Sequence, residues 1–152
     1  MTVSSKVEIA IAIIHQDGQF LMQLRDDLPN ILFPGHWGFF GGHLEPGEDA
    51  DTGIRRELYE EIGHIPTALT LFESTEDERV IRHFYQAELT IPVEQLQLNE
   101  GQDIGLCAPE DVQRGCKYAP KLGEDRPLGS PHQQALLTFM ARQDTLPEKC
   151  SH

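Results

Sequence analysis

Cysteine is scarce in this sequence of 152 residues. Its three cysteines, Cys107, Cys116 and Cys150, are scattered, and no two of them form a C-x-x-C pair. An odd number of scattered cysteines is a poor basis for a disulfide framework, so we expect reduced thiols. Reduced thiols are typical of intracellular proteins, and we therefore expect a cytoplasmic location.

Long apolar runs are absent as well. The apolar segment near the N-terminus covers only residues 9–14, whereas a membrane-spanning helix needs about 20 residues. The first residues also lack the basic start and apolar stretch of a signal peptide. The sequence thus predicts no association with a membrane.

Basic side chains are few relative to acidic ones. The 12 Lys and Arg residues stand against 25 Asp and Glu residues, which gives a net charge of -13. Proteins that bind duplex nucleic acid usually present a basic patch, so this balance argues against such a partner. A small substrate that carries phosphates remains compatible with the charge, because bound divalent cations reverse the local sign of a carboxylate-rich pocket.

The length fits one domain. If 152 residues were divided between two domains, neither would have much core to bury. We therefore predict a single domain over residues 1–152, in which residues 145–152 form a flexible tail.

Apolar periodicity and turn residues predict an alternation of strands and helices. The predicted strands are residues 7–14, 19–24, 37–40, 68–74 and 79–89. The predicted helices are residues 49–62, which Gly63 ends, residues 109–112, and a last helix that begins at Ser130-Pro131. Residues 25–34, 96–101 and 115–129 are predicted loops, the last of them an ordered loop or a lid. This order favours an α/β (α+β) sandwich, a mixed β-sheet flanked by helices.

The helix predicted over residues 49–62 is acidic on one side. Glu57, Glu60 and Glu61 are spaced i, i+3 and i+4, so they are neighbours on one helical face. Three close carboxylates repel one another unless a positive charge lies among them. The adjacent Arg56 is predicted to point away from this face, so a divalent cation such as Mg²⁺ or Mn²⁺ is the better candidate.

Helix geometry alone leaves a solvated helix face as the commoner explanation of such a run. The preceding residues shift the balance, because Gly41-Gly42 and a further acid, Glu48, come directly before the helix. Glycine allows the backbone to approach a ligand closely, and the carbonyl of Gly41 is a candidate oxygen ligand. The context therefore favours a metal site.

The stretch from Gly42 to His64 resembles the signature of the Nudix hydrolases, the family of MutT-like proteins. The matching residues, all at the signature's spacing, are Gly42, Glu48, Arg56, Glu57, Leu58, Glu60, Glu61 and Gly63. Two positions depart from the family's pattern: His64 stands where an aliphatic residue is usual, and Phe40 where many relatives have proline. Neither departure removes a carboxylate or a glycine of the signature.

The resemblance implies metal-dependent hydrolysis of a diphosphate linkage in a nucleoside diphosphate derivative, a small-molecule substrate. The implied cofactor is Mg²⁺ or Mn²⁺, and its implied ligands are Glu57, Glu60, Glu61 and the carbonyl of Gly41. Glu48 and Arg56 are implied to support these ligands, Arg56 by pairing with an acid and so orienting the helix.

The general base remains open between two kinds of residue. One candidate is Glu57, and the other is an acid further along the chain. Glu100 is the downstream candidate because it lies in the loop predicted over residues 96–101. An exposed loop acid without a catalytic role describes Glu100 equally well.

Candidates for substrate binding lie close to the signature or outside it. They are Arg25, Trp37, Phe40 and His43, with Arg79, Arg82 and Lys121 ranked below them. An arginine suits a phosphate, and aromatic rings can stack on a base, although aromatic residues in one strand more often pack in a core. The signature does not separate nucleoside triphosphates from ADP-ribose or nucleotide sugars, because it handles only the diphosphate.

A different class of function is also compatible with the sequence: a nucleotide-binding or regulatory module with the same fold and no catalysis. Such a module would be expected to lose signature carboxylates, whereas Glu57, Glu60 and Glu61 are all present. An acidic metal buffer without a substrate fits the glycine-rich turn less well. The oligomeric state is open, and a homodimer could form if the apolar first strand lay at a sheet edge.

Overall fold

The first strand, β1 (Val7–Gln16), lies in the middle of a mixed seven-stranded sheet. The computed structural model describes residues 6–144. The other strands of the sheet are β2 (Gln19–Leu24), β3 (Trp37–Gly38), β4 (Phe40–His43), β5 (Thr70–Glu76), β6 (Val80–Glu88) and β7 (Asp103–Cys107). Strand β6 runs parallel to β1, and the other neighbouring pairs are antiparallel. Because both edges of β1 are paired, this strand is not a sheet edge, and a homodimer that pairs through such an edge is excluded.

The sheet divides on one side of β1. Strand β6 occupies one edge of β1 from Val7 to His15, so β2 and β4 share the other edge. Strand β4 pairs with residues 9–12 of β1, and β2 pairs with residues 15 and 16. Strand β3 pairs with β2 rather than β1. The chain therefore changes partner between β3 and β4, and the single strand predicted over residues 37–40 is interrupted at Phe39.

Helices pack on both faces of the sheet and give it two cores. The helices are α1 (Ala50–Ile62), α2 (Pro109–Arg114) and α3 (Ser130–Asp144), and a short 3-10 turn spans Val93–Gln95. The core beneath α1 includes Ala10, Ala12, Ile14, Ile54, Leu58 and Ile62. The core beneath α3 includes Ile13, Met22, Trp37, Phe39, Leu136 and Phe139. Alternate residues of β1 thus face opposite helices, and the predicted mixed sheet flanked by helices is confirmed.

Helix α1 begins and ends close to where the sequence predicts. The side chain of Asp49 caps its first turn by accepting a hydrogen bond from the N–H of Thr52 at 2.7 Å. Gly63 ends it in the left-handed conformation, with φ at 67°, and donates its N–H to the carbonyl of Tyr59. A residue with a side chain is disfavoured in this conformation, so the glycine fixes where the helix stops.

Two regions of strand were not predicted. The segment predicted as an ordered loop or a lid, residues 115–129, contains a hairpin of β8 (Cys116–Ala119) and β9 (Glu124–Pro127). These strands are short and largely polar, so no apolar alternation marks them. Strand β7 pairs with β2 from Phe20 to Leu24, although it too is short and contains a glycine.

The predicted tail, residues 145–152, lies outside the described residues, together with Cys150. Within residues 6–144, Cys107 and Cys116 are both free thiols. In the same range no helix is both long enough and apolar enough to cross a membrane.

Candidate active site

The carboxyl group of Glu61 lies at the centre of an acidic cluster on α1. Its residue is only 5% exposed, and its Oε1 accepts a hydrogen bond from the N–H of Gly41 at 3.0 Å. Two glycines of β4 permit this approach. A side chain at Gly41 would collide with the carbonyl of Ala10, and one at Gly42 would collide with the carboxylate of Glu57. The Gly-Gly pair therefore brings the backbone of β4 against the acidic face of α1.

Burial and neighbouring acids make Glu61 an unusual carboxyl group. Burial raises its pKa to about 9, and the nearby charges of Glu100 and Glu57 add to the effect. This favours the protonated form of Glu61, whose carboxyl group lies beside Glu100. The pKa of Glu57 is also raised, mainly by burial. The structure thus brings Glu57, Glu61 and Glu100 together, as the sequence suggested for two of them and left open for Glu100.

The loop that carries Glu100 is attached to the C-terminus of α1. The N–H of Gln97 donates to the carbonyl of Ile62 at 3.0 Å. The backbone N–H of Asn99 donates to the carbonyl of Glu61 at 3.1 Å, and its side-chain amide donates to the carbonyl of Glu60 at 2.9 Å. These donors satisfy carbonyl groups that a helix end otherwise leaves without partners. As a result the next residue, Glu100, is held beside Glu61.

The guanidinium of Arg56 lies among the glutamates, so the expectation that it points off the acidic face is wrong. It forms a two-pronged ion pair with Glu48, with distances of 2.7 Å from Nε to Oε2 and 2.9 Å from Nη2 to Oε1. Its Nη1 lies 3.2 Å from Glu57 Oε2 and 3.3 Å from Glu60 Oε1. The side chain is long enough to reach around the helix, which a helical projection of Cβ positions does not take into account.

The predicted pairing of Arg56 with an acid is present and has a clear electrostatic effect. The Arg56 guanidinium, together with the N–H of Glu45, lowers the pKa of Glu48 to about 2. In return, the pKa of Arg56 is raised, chiefly by its hydrogen bonds to Glu48. The pair therefore stays charged at any ordinary pH and connects the turn before α1 to the helix itself.

The donor set of the cluster suits Mg²⁺ or Mn²⁺, because it consists of carboxylate and carbonyl oxygens. Glu57, Glu61 and the exposed Glu100 present three acids at one place, where a cation would relieve their mutual repulsion and the cost of burying Glu61. Over residues 6–144, however, no three side chains of His, Cys, Asp or Glu are already arranged around a metal position. Arg56 draws Glu57 and Glu60 toward itself, so these two carboxylates would have to turn to meet an ion.

The substrate-binding candidates differ in their exposure and in their partners. Trp37 and Phe40 are completely buried, so neither can stack on a base, and this expectation is wrong. The Nε1–H of Trp37 donates instead to the carbonyl of Lys117 at 3.0 Å. Arg25 donates from Nε to the carbonyl of Leu32 within its own loop at 2.8 Å. His43 is exposed at the end of β4, and its carbonyl accepts a hydrogen bond from Arg56.

The weaker candidates lie away from the cluster. Arg82 pairs with Asp77 at 3.0 Å and borders a cavity of about 230 Å³ between α3 and the strands β5 and β6. Ile13 and Phe84 line this cavity, so it opens on the sheet face opposite α1. Arg79 is exposed, and the N–H of Lys121 donates to Asp103.

Three polar residues near the site were not singled out from the sequence: Gln23, Asn99 and His132. Gln23 is 3% exposed, and its position inside the apolar strand β2 was a usable signal, because a buried amide needs partners. Asn99 and His132 carried no comparable signal. Their roles depend on residues far away in the sequence, Glu60 and Phe39.

Comparison with known proteins agrees with this geometry. The family model of the NUDIX domain matches residues 5–127. The nucleoside triphosphatase NudI of Escherichia coli O17:K52:H18 is 31% identical over 119 residues, which cover 68% of this chain and 83% of that protein. The same-named protein of E. coli O1:K1 is 36% identical over 74 residues, 47% of this chain and 51% of its own length.

Two solved structures show the same fold. A MutT described for Aliivibrio salmonicida and Vibrio cholerae superposes with a TM-score of 0.68 at 22% identity, over 91% of this chain and 99% of the other. The NUDIX domain of Shewanella oneidensis NrtR, complexed with ADP ribose, gives a TM-score of 0.69 at 19% identity, over 93% and 90%. With the family model covering most of the chain and the signature acids Glu57, Glu60 and Glu61 gathered on one helix, this protein belongs to the Nudix hydrolase family.

Proposed function

We propose that this protein hydrolyses a diphosphate linkage of nucleoside triphosphates in a reaction that depends on Mg²⁺ or Mn²⁺. The observation that carries the proposal is the cluster of Glu57, Glu61 and Glu100 against the backbone of Gly41. A protein that only bound nucleotides would have no need to bury acids that repel one another and the phosphates. The preference for triphosphates is supported by the similarity to NudI, which is named as a nucleoside triphosphatase.

The proposed metal ligands are Glu57, Glu60, Glu61 and the carbonyl of Gly41. When bound, the ion would neutralise phosphate charge and lower the pKa of a bound water. Of these residues, Glu61 is held in place by the N–H of Gly41, whereas Glu60 is largely exposed and would turn from Arg56 toward an ion. The proposed set therefore combines one fixed carboxyl group with one adjustable carboxylate.

The proposed role of Glu48 and Arg56 is to fix the orientation of the acidic face. Their ion pair connects the turn before α1 to the helix, and Arg56 balances part of the charge of Glu57 and Glu60. Arg56 would also release these carboxylates as a cation enters, because a divalent ion competes with it for the same oxygens.

Glu100 is the proposed general base. Its carboxyl group lies beside Glu61, and the hydrogen bonds of Asn99 to α1 keep it there. A base must be within hydrogen-bond reach of the proton that it removes. Glu57 is the alternative, but its carboxylate is already engaged with Arg56.

The test is a panel of nucleoside triphosphates, ADP-ribose and nucleotide sugars, assayed for product release with Mg²⁺, with Mn²⁺ and with EDTA. We expect turnover of triphosphates that EDTA abolishes. Glu61→Gln keeps an acceptor for the N–H of Gly41 and should lower kcat by about 100-fold or more. The matched control is Glu110→Gln, an exposed acid on α2, which should behave as the wild type.

Three results would contradict the proposal. Turnover in EDTA equal to that in Mg²⁺ would remove the metal dependence. Turnover of ADP-ribose or a nucleotide sugar alone would remove the preference for triphosphates. Binding of nucleotides without turnover of any compound would replace the enzyme with a binding module.

A further inference from the structure

The chain changes its strand partner at Phe39, and the backbone of this residue belongs to neither neighbouring strand. Gly38, just before it, pairs with Gln23 of β2, whereas Phe40, just after it, pairs with Ala12 of β1. A residue at such a crossing has no ladder to satisfy its N–H and C=O groups. Those groups must find other partners, because an unsatisfied buried backbone group is costly.

Two side chains from distant parts of the sequence supply these partners. Nδ1 of His132, on α3, accepts the N–H of Phe39 at 3.3 Å. Nε2 of Gln23, on β2, donates to the carbonyl of Phe39 at 3.3 Å. The crossing is therefore held from both sides, once from a helix and once from a strand.

The ring of His132 fits closely into its surroundings. It meets the ring of Phe39 edge to face at a centroid distance of 5.0 Å, and that of Phe33 at 6.3 Å. A side chain at Gly38 would lie 3.2 Å from its Nε2, and one at Gly129 would lie 2.7 Å from its Cδ2. The ring of His132 therefore fits because both neighbouring positions are glycine, and a side chain at either position would crowd it.

His132 is neutral under ordinary conditions. Burial lowers its pKa to about 4, with smaller contributions from the charges of Arg25 and His36. In the neutral ring Nδ1 keeps a lone pair, which is what an acceptor for the N–H of Phe39 requires. The tautomer with the proton on Nε2 follows from this hydrogen bond.

The crossing is two residues away from the active site. Gly41, whose N–H binds Glu61, follows Phe39 in the chain, and Phe40 between them is completely buried. Gly41 fits against the carbonyl of Ala10 without space for a Cβ atom. A displacement at Phe39 therefore has little room to be absorbed before it reaches Gly41.

Gln23 also borders the loop that carries Glu100. A side chain on Gly101 would lie 2.9 Å from Oε1 of Gln23 and 2.7 Å from the carbonyl of Leu24. Gly101, with φ at 92°, is the residue directly after Glu100. Gln23 thus lies between the two segments that deliver Gly41 and Glu100 to the acidic cluster.

We propose that His132, together with Gln23, is a positioning residue of the active site: it fixes the crossing at Phe39 and thereby holds Gly41 against Glu61. This inference rests on the proposed function, because it assigns the pair a part in turnover. Neither residue is a catalytic residue in this proposal, since both act through the backbone of Phe39.

The experiment compares three substitutions at His132. His132→Asn places an amide oxygen near the position of Nδ1 and keeps an acceptor for Phe39. His132→Gln reaches further and places its amide near the position of Nε2, and His132→Leu has no acceptor. With the best triphosphate of the wild type, we expect kcat to fall about 10- to 100-fold in the Gln and Leu variants, with KM changed by no more than about threefold. The Asn variant should recover kcat to within about threefold of the wild type.

The control for a merely structural role is Leu136→Ala, which removes a fully buried side chain of the same helix. It should lower Tm at least as much as the His132 variants, yet leave kcat at 15 °C within about twofold of the wild type. If kcat instead follows Tm across all four variants, and the Asn variant shows no recovery, His132 only stabilises the fold and the proposal is overturned.

A second measurement separates this proposal from the proposed function. Amide hydrogen exchange by NMR should become faster at Phe39 and Gly41 in the Gln and Leu variants, but not in Leu136→Ala. The wild type should also show a scalar coupling between the amide nitrogen of Phe39 and Nδ1 of His132. If the scalar coupling is absent in the wild type and amide exchange is unchanged in the variants, the positioning role is wrong, whatever the activity. If both are present and the wild type hydrolyses nothing, the proposed function fails on its own.

Discussion

At the scale of single residues, charge and reach decide what the acidic face of α1 looks like. Arg56 forms hydrogen bonds with Glu48, Glu57 and Glu60, and with the carbonyl of His43. A planar guanidinium can hold one carboxylate with two parallel hydrogen bonds and still has donors for other acceptors, whereas an ammonium group cannot form this two-pronged pair. The shape of Arg56 therefore matters in addition to its charge.

Arg56→Lys should show this difference. Lysine keeps the charge but loses the two-pronged pair with Glu48, so we expect a lower urea midpoint of unfolding and a kcat reduced about tenfold. The measurements are urea denaturation and steady-state kinetics. Arg55→Lys is the matched control, because Arg55 is the adjacent residue and pairs with the exposed Asp51. Equal effects of the two substitutions would show that the geometry of Arg56 has no special role.

His132 should make the stability of the protein depend on pH. Its pKa is about 4 in the folded protein and lies near 6.5 in the unfolded chain, so protons bind the unfolded chain first as pH falls. Stability from the neutral ring is thus complete above about pH 6.5 and is lost as pH falls toward 4. Relative to His132→Asn, the wild type should lose about 2 kcal/mol of unfolding free energy over this range, a value reduced because the ring is partly exposed.

Urea denaturation of both proteins at several pH values between 7 and 4 measures this difference. Other titrating groups, Glu61 among them, are present in both proteins, so their contributions cancel in the comparison. Parallel stability curves for the two proteins would show that the protonation of His132 is not linked to folding.

At residue scale, the sequence was informative where spacing alone determines proximity. The proximity of Glu57 and Glu61 follows from helical spacing, whereas the burial of Glu61 is visible only in the fold. The direction of Arg56 was not predictable, because it depends on χ angles set by four acceptors. The burial of Trp37 depends on α3 and the β8–β9 hairpin, which lie far later in the sequence, whereas Phe40 is buried in the core beneath α1.

At the scale of elements, the loop from Gln97 to Gly101 acts as a cap for α1. Its donors satisfy the carbonyls of Glu60, Glu61 and Ile62, and the same loop presents Glu100. The hydrogen bonds that cap α1 therefore also position Glu100. A weaker cap should cost both stability and activity.

Asn99→Ala tests this link. Removing the side-chain hydrogen bond to the carbonyl of Glu60 should lower the unfolding free energy by about 1 kcal/mol. Because Glu100 would then be held less firmly, kcat should fall by about threefold to tenfold. Urea denaturation and kinetics measure the two effects, and Gln95→Ala, an exposed residue of the preceding 3-10 turn, is the control. A loss of stability with unchanged kcat would separate the cap from catalysis.

The elements themselves were predicted where local signals are strong. Helix α1 has a cap residue, an apolar stripe and a terminal glycine, and it was found within one residue of its predicted bounds. Strand β7 and the β8–β9 hairpin were missed because each strand has only four or five residues with mixed polarity. The break at Phe39 was also missed, because it results from which strand is adjacent in space rather than from any local signal.

At the scale of the whole molecule, a net charge of -13 attracts cations to this protein. Much of this charge is on the surface, but Glu57, Glu61 and Glu100 are gathered at one place. Anything that binds the folded protein more tightly than the unfolded chain stabilises it. A divalent cation at the acidic cluster should therefore raise Tm.

Mg²⁺ at about 100 times its Kd should add about 2.7 kcal/mol of stability, which corresponds to a rise in Tm of roughly 5–10 °C. Differential scanning calorimetry at matched ionic strength, with NaCl in place of MgCl₂, measures the rise. Glu61→Gln should lose most of it, and Glu110→Gln should retain it. An equal rise in Tm in all three proteins would show that Mg²⁺ stabilises the protein through its overall surface charge and not at the acidic cluster.

The division of the sheet beside β1 leaves two groups of elements that meet at Phe39. Strand β4, α1 and the residues that flank α1 carry every signature acid and glycine, and β4 lies against β1 and α1 without room for a side chain at Gly41 or Gly42. The β2–β3 loop and the β8–β9 hairpin are joined to the other half. Changes confined to the β8–β9 hairpin leave the hydrogen bonds of Gln23 and His132 to Phe39 intact, so we expect them to alter the surface around the site without moving Gly41.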